Sequence, residues 1–364
     1  MDKIINRNNV PKLRFGEFNN EWHRYKIKDT LKIKSGRDQK SIIDENGNNP
    51  ILGTGGIIGK TNSFLYDKPS VLIGRKGTIN KPQYMDTPFW TVDTLFYSEI
   101  HKEFLPKFIY YVFQNINWKK YDESTGVPSL TASTIENIKY YIPNLKEQQK
   151  IANFFTLIDK KINLQTQKVE LLKKCKKGLL QNLKSNSKDW KEFRIKDLFN
   201  ITRGQVIPKN TLRYLSDKEY KYPVYSSQTS NHGILGYDKT YDFDGQYLTW
   251  TTDGANAGKV FYRNGKFRCT NVCGLLYSSQ NVAYINLLTA DLLNYETPKY
   301  VSYVGNPKLM NNVMSNIKIK LPSLKIQSKV SNIFIIFNKK IYIENQKLEK
   351  LNNLKRSLLH QMFI

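Results

Sequence analysis

Apolar residues recur at alternating steps of four and three through Ile151, Phe155, Ile158, Ile162, Val169, Leu172, Leu179 and Leu183, with Gln165 and Lys176 standing at two of the same steps. That spacing predicts a long helix with a coiled-coil seam. It returns through Val330, Phe334, Phe337, Ile341, Leu348, Leu351, Leu358 and Met362, with Glu344 and Lys355 at the matching interruptions. Pro143 and Pro322 precede the two runs at corresponding places, as proline is tolerated near a helix start. Each run of about 38 residues would extend roughly 57 Å at 1.5 Å per residue. A helix that long with one apolar stripe needs a partner. The two are expected to pair antiparallel, because the first returns the chain to the start of a second copy. The alternative is that each folds back on its own globular domain.

Short alternating segments lie before each helix. Trp22-His23-Arg24-Tyr25-Lys26-Ile27-Lys28-Asp29 and Ile33-Lys34-Ser35-Gly36 return as Trp190-Lys191-Glu192-Phe193-Arg194-Ile195-Lys196-Asp197 and Ile201-Thr202-Arg203-Gly204. Both read as a strand leading into a glycine turn. The middle of each copy is rich in glycine, aromatic and β-branched residues, as in Val71-Leu72-Ile73-Gly74-Arg75-Lys76-Gly77 and Leu248-Thr249-Trp250-Thr251-Thr252-Asp253-Gly254. Short strands with tight turns are expected there. Gly126-Val127-Pro128-Ser129-Leu130 returns as Gly305-Asn306-Pro307-Lys308-Leu309, and Asn137-Ile138-Lys139 as Asn316-Ile317-Lys318. The chain is thus a tandem repeat. The divergent middles imply different specificities on one frame.

Charge narrows the partner. Lysine and arginine number 57 against 31 acids, for a net charge of +26 over 364 residues. Such an excess favours a polyanion, since each phosphate neutralised releases counterions. The segment 146–185 carries ten lysines against three acids, and 323–364 eight basic residues against two. A solvated charged face is the ordinary meaning of such runs. Three cysteines, Cys175, Cys269 and Cys273, make no disulfide framework and fit a reducing cytosol. Met1–Phe15 has no signal-peptide core, and no run approaches the roughly 18 apolar residues of a membrane span. A cytoplasmic protein is expected.

Candidate chemistry is sparse. Gly53-Thr54-Gly55-Gly56-Ile57-Ile58-Gly59-Lys60-Thr61 misses the phosphate-loop pattern by one position, where Thr54 stands in place of glycine. It reads as a turn between strands. His23, His101, His232 and His360 have no metal-ligand spacing. No serine or cysteine sits in a nucleophile elbow, and no methyltransferase signature is present. The chain reads as a non-catalytic binder.

The order of these phrases resembles the specificity subunit of type I restriction–modification systems. The resemblance rests on Pro11-Lys12-Leu13-Arg14-Phe15 ahead of Trp22, on Leu72-Ile73-Gly74-Arg75-Lys76-Gly77-Thr78, and on Ile142-Pro143-Asn144-Leu145-Lys146-Glu147-Gln148-Gln149 entering the helix. Leu321-Pro322-Ser323-Leu324-Lys325-Ile326-Gln327 is a weaker second version, and Leu179-Leu180-Gln181 and Leu358-Leu359-His360-Gln361 close the helices. It implies an α+β fold with an internal pseudo-twofold repeat: a recognition domain over 1–144, a spacer helix over 145–185, a second recognition domain over 186–322 and a second helix over 323–364. It further implies that each domain reads half of a bipartite double-stranded DNA target. Two methyltransferase subunits and restriction/translocase subunits would be the partners, holding S-adenosylmethionine, ATP and magnesium that this chain does not bind. A coiled-coil scaffold and the recognition part of a fused restriction–methylation enzyme stand as alternatives.

Phosphate contacts are expected from basic loop residues, and base contacts from arginine, amide and hydroxyl groups beside them. In the first copy these are Arg37, Lys40, Lys60, Arg75, Lys76 and Lys81. In the second they are Arg203, Gln205, Lys209, Gln228, Asn256 and Lys259. For each, a solvated surface role is the competing reading. Trp90, Tyr225 and Trp250 are candidates for base stacking, with burial in a core as the alternative.

Overall fold

The computed structural model describes residues 9–278, 280 and 282–364; the first eight residues of the N-terminal reading above lie outside that range. Two compact units emerge. Unit 1 holds the chain up to Thr166 together with Gln346–Ile364, and unit 2 holds Gln167–Asn345. Both long helices, Leu145–Ser185 and Leu324–Met362, run unbroken through that division.

The helices pair antiparallel within each unit. In unit 1, Phe155 meets Phe363 at 5.9 Å between ring centroids while Asp159, one turn on, holds Lys355 at 2.6 Å. In unit 2, Lys168 reaches Glu344 at 3.0 Å and Lys176 reaches Asn338 at 3.0 Å. The seam residues are buried or half-buried along both helices. Its polar interruptions are paired: Lys355 with Asp159, and Lys176 also with Asp291 at 2.7 Å. A buried charge left alone would cost several kcal/mol, so such pairs fix the seam's register more than they stabilise it.

The entrances to the helices repeat closely. Gln148 Nε2 donates to the Pro143 carbonyl at 3.0 Å, and Gln327 Nε2 to the Pro322 carbonyl at 2.9 Å. A short strand precedes each: Lys139–Ile142 pairs antiparallel with His23–Lys26, and Lys318–Leu321 with Lys191–Arg194. Ile-Lys-Asp does not extend those opening strands. It forms a helical turn, Ile27–Asp29 and Ile195–Leu198, because Asp29 and Asp197 carboxylates accept the Lys26 and Arg194 backbone N–H at 2.8 and 3.1 Å.

The sheets share one topology with one difference. Unit 2 has six strands in the order Asn200–Arg203, Cys273–Tyr277, Phe243–Thr251, Val260–Cys269, Tyr222–Tyr225, Ile234–Asp238. Unit 1 divides that layer into four strands (Leu31–Ser35, Leu95–Ile100, Ser70–Gly74, Gln83–Met85) and three (Trp90–Thr91, Asn49–Gly53, Gly56–Thr61). Val260–Cys269 does the work of both Gln83–Met85 and Trp90–Thr91. Its far end pairs parallel with Tyr222–Tyr225 as Trp90–Thr91 pairs with Asn49–Gly53. Pro88 stands between the two short strands of unit 1, and proline lacks the N–H that a ladder needs.

Candidate nucleic-acid interface

Two turns in each unit bring the candidate residues to the sheet, and they are built alike. In the first, Gly36 and Gly204 press against backbone so closely that a Cβ would lie 2.1 Å from the Val92 and Cys269 carbonyl oxygens. The next residue continues each turn: Arg37 N–H donates to the Thr91 carbonyl at 2.9 Å, and Gln205 N–H to the Cys269 carbonyl at 3.0 Å. The second turn follows the strands Ser70–Gly74 and Phe243–Thr251. Arg75 N–H donates to the Thr94 carbonyl at 2.8 Å, and Thr252 N–H to the Val272 carbonyl at 3.1 Å. Gly77 (φ 85°) and Gly254 (φ 93°) then take the left-handed conformation that glycine adopts without steric cost.

The repeated Gly-x-Pro-x-Leu phrase docks on this second turn. In unit 1, Gly77 N–H donates to the Pro128 carbonyl at 2.8 Å and Leu130 N–H to the Arg75 carbonyl at 2.9 Å. In unit 2, Gly254 N–H donates to the Pro307 carbonyl at 2.9 Å and Leu309 N–H to the Thr252 carbonyl at 2.9 Å. Lys76 faces Ser129 across an antiparallel bridge, and Asp253 faces Lys308 across its counterpart. One backbone frame therefore carries Arg75-Lys76 in unit 1 and Thr252-Asp253 in unit 2.

Arg37, Arg75 and Lys76 are exposed and gather around the segment Thr91–Thr94, which takes their backbone hydrogen bonds. Arg75 also lies 5.9 Å from the Phe96 ring centre. Lys40, Lys60 and Lys81 are exposed on separate segments; Lys60 stands on the strand Gly56–Thr61, beyond the Thr54-Gly55 turn. In unit 2, exposed Asn256 and Lys259 share the turn with Asp253: Lys259 N–H donates to the Asn256 carbonyl at 3.1 Å. Arg203 is half-buried, and its Nε donates to Asn311 Oδ1 at 2.9 Å, so part of its hydrogen-bonding capacity is used inside the protein. Gln205 is exposed at the first turn. Lys209 and Gln228 line a cleft of about 380 Å³ with Arg213, Tyr214 and Asn231. Gln228 Nε2 already donates to the Ile234 carbonyl and closes its own loop.

The stacking candidates resolve toward packing. Trp250 is buried and donates its Nε1 proton to the Leu309 carbonyl at 3.0 Å, so it cannot meet a base. Tyr225 lies half-buried under Arg263, whose guanidinium carbon is 3.5 Å from its ring centre. Burial pushes the Arg263 guanidinium below its ordinary pKa. Trp90 is half-buried and donates to the Arg37 carbonyl at 3.0 Å, bracing the first turn.

Lys308 and Asp253 share the second turn of unit 2 and were not among the sequence candidates. Both were available from the repeated phrase, where Pro-Ser-Leu becomes Pro-Lys-Leu, and from the turn, where Arg-Lys becomes Thr-Asp. Among the described residues no group of three or more His, Cys, Asp or Glu could hold a metal, and no helix is long and apolar enough to cross a membrane. Cys269 and Cys273 are buried thiols with sulfurs 3.5 Å apart, and burial raises Cys269 well above the usual thiol range.

A duplicated mixed α/β domain whose matching turns carry unlike side chains defines a tandem-repeat protein with two candidate recognition surfaces. The chain belongs to the family of type I restriction modification DNA specificity domains, whose model matches it twice, over residues 19–174 and 187–353. Its role is DNA sequence specificity. A putative type I specificity subunit N-terminus from Mycoplasma pneumoniae is 45% identical over 148 residues, covering 40% of this chain and 77% of the relative. A second putative type I specificity subunit of that bacterium is 36% identical over 230 residues, covering 61% and 83%. The crystal structure of a type I restriction–modification S subunit from M. genitalium shares the fold, with a TM-score of 0.70 at 18% identity over 98% of this chain and 99% of that one.

Proposed function

We propose that this chain reads a bipartite, asymmetric duplex DNA target, one half-site per recognition domain (1–144 and 186–322), and performs no catalysis itself. The observation that carries this reading is the shared turn that presents exposed Arg75-Lys76 in unit 1 and, after the buried Thr252, half-buried Asp253 in unit 2. Equal frames with unlike side chains suit two unlike half-sites. Arg37, Lys40, Lys60, Lys81, Arg203, Gln205, Lys209, Gln228, Asn256 and Lys259 supply further phosphate or base contacts around the turns.

The helices over 145–185 and 323–364 act as spacers and as seats for two methyltransferase subunits, with restriction/translocase subunits joining them. Leu157 and Leu164 on the first helix are 67% and 56% exposed, and Ile336 and Ile343, their repeat counterparts on the second, are 59% and 40% exposed. Duplicated apolar positions facing solvent on paired helices favour two like helical partners. S-adenosylmethionine, ATP and magnesium reside on those partners, and the assembly works in the cytoplasm.

The experiment is a genome-wide map of modified bases in cells with and without the gene. A bipartite asymmetric motif that vanishes with the gene is expected; an unchanged map sinks the reading. Arg75→Ala should weaken binding to DNA with the correct first half-site by about tenfold or more, as for loss of an arginine base contact. Inserting four residues, about one helical turn, in one spacer helix should lengthen the unread gap.

A further inference from the structure

Asp253 holds in unit 2 the place that Lys76 holds in unit 1. Each follows the residue that bonds the neighbouring strand connection, precedes a left-handed glycine, and bridges to the returning Pro-x-Leu strand. Each bridge carries one lysine, on opposite sides: Lys76 opposite Ser129, and Lys308 opposite Asp253. Lys308 is exposed, and its backbone is fixed by two hydrogen bonds exchanged with Ser302, both 2.9 Å. Asp253 Oδ2 accepts a hydrogen bond from Thr252 Oγ1 at 2.7 Å, which orients the carboxylate. Its other oxygen has no partner among the described residues.

A carboxylate on a DNA-reading turn is repelled by phosphates and can only accept hydrogen bonds when ionised. An adjacent lysine relieves the repulsion, and the base edge that donates to a carboxylate in the major groove is the cytosine 4-amino group. We propose that Asp253 is the specificity-determining residue of unit 2. It accepts a hydrogen bond from a cytosine amino group in the second half-site, while Lys308 holds a neighbouring phosphate. This rests on the reading of unit 2 as a half-site reader. Unit 1 reads with donors, through Arg75 and Lys76, and unit 2 reads with an acceptor.

The test uses the full chain together with the subunits it assembles with in its host cell, and selection from a pool of randomised DNA duplexes. Asp253→Ala should lose discrimination at one cytosine position by roughly 5- to 100-fold, the range of a single good base contact. Asp253→Asn should shift that position toward adenine, which a side-chain amide prefers. Lys308→Ala should weaken all sequences alike and lower the salt slope by about one, leaving the motif unchanged. The half-site altered by Arg75→Ala and the other positions of the second half-site should persist in every Asp253 variant, which also shows that both units of the variants are folded. An unchanged motif in both Asp253 variants, or a change falling in the Arg75-dependent half-site, overturns the assignment alone. A wild-type chain that enriches no motif overturns the half-site reading itself, and this assignment with it.

Discussion

Units 1 and 2 meet the same helix entrance with different chemistry. In unit 1, Glu147 is fully buried, accepts two hydrogen bonds from Arg14 at 2.7 Å each, and accepts a third from Trp22 Nε1 at 3.2 Å. Trp22 is sealed in turn by Phe108 and Phe363. In unit 2 the position of Glu147 is held by Ile326, 43% exposed, and Trp190 is only half-buried. Lys184, bonded to Glu296 at 2.9 Å, lines a cleft with Trp190 instead. The frame survived duplication while its local fastenings diverged. Backbone hydrogen bonds and the glutamine clamp onto the preceding proline repeat in both units because any side chains can hang from them. A buried carboxylate persists only where a cation is supplied, and the Pro11–Phe15 segment supplies one in unit 1.

The largest expected break in the comparison is Glu147→Ala, which leaves the Arg14 guanidinium partly buried and unpaired. It should destabilise unit 1 by about 3–5 kcal/mol, the cost typical of breaking a buried pair. Substituting Ile326 by glutamate should change stability by less than about 0.5 kcal/mol, as for ordinary surface positions. Hydrogen exchange read separately in the two units distinguishes these, and equal loss in both would refute the asymmetry. A smaller pair of effects tests the likeness instead. Gly36→Ala and Gly204→Ala each drive a methyl group to 2.1 Å from a carbonyl oxygen. Each should cost its own unit roughly 1–3 kcal/mol by overpacking, measured by denaturant unfolding. If only one does so, the two first turns are not equivalent.

The smallest effect concerns pH. The Asp122 carboxylate accepts the Ser129 N–H at 3.0 Å and both the N–H and hydroxyl of Ser124, at 3.1 and 2.8 Å. The Ser129 N–H comes first among the groups that hold its pKa below the ordinary value of 3.8. A depressed carboxylate contributes order that is present above its unfolded pKa and lost as pH falls through the folded one. The Ser124–Ser129 return should therefore loosen only below about pH 3.8. The corresponding Ser302–Lys308 return, closed by backbone bonds alone, should not follow it. Amide chemical shifts of Ser129 and Lys308 across that range report both.

Much of this was legible in the chain. The stride through Ile151, Phe155, Ile158 and Ile162 named the helix seam, because burial of one stripe leaves a periodic trace. Gly-x-Pro-x-Leu marked the duplicated turns by its repetition, and Gly36 and Gly204 marked them because only glycine tolerates the close approach there. The grouping of the candidate contact residues was legible in part. Arg37, Arg75 and Lys76 could be chosen as exposed loop cations, and they gather at one segment. Trp250 could not be assigned, because an aromatic residue on a strand has the same spelling whether it faces a core or a ligand.

The sequence by itself determined the repeat, the two helices and the basic balance, since these depend on local spacing and on counts. The tertiary structure decided which residues share a turn. Only folding sets Lys308 opposite Asp253, fifty-five positions away, and only folding docks the returning Pro-x-Leu strand on that turn. Such correspondences are carried by backbone hydrogen bonds between distant segments, and a backbone hydrogen bond leaves no mark on the identity of the residues that make it.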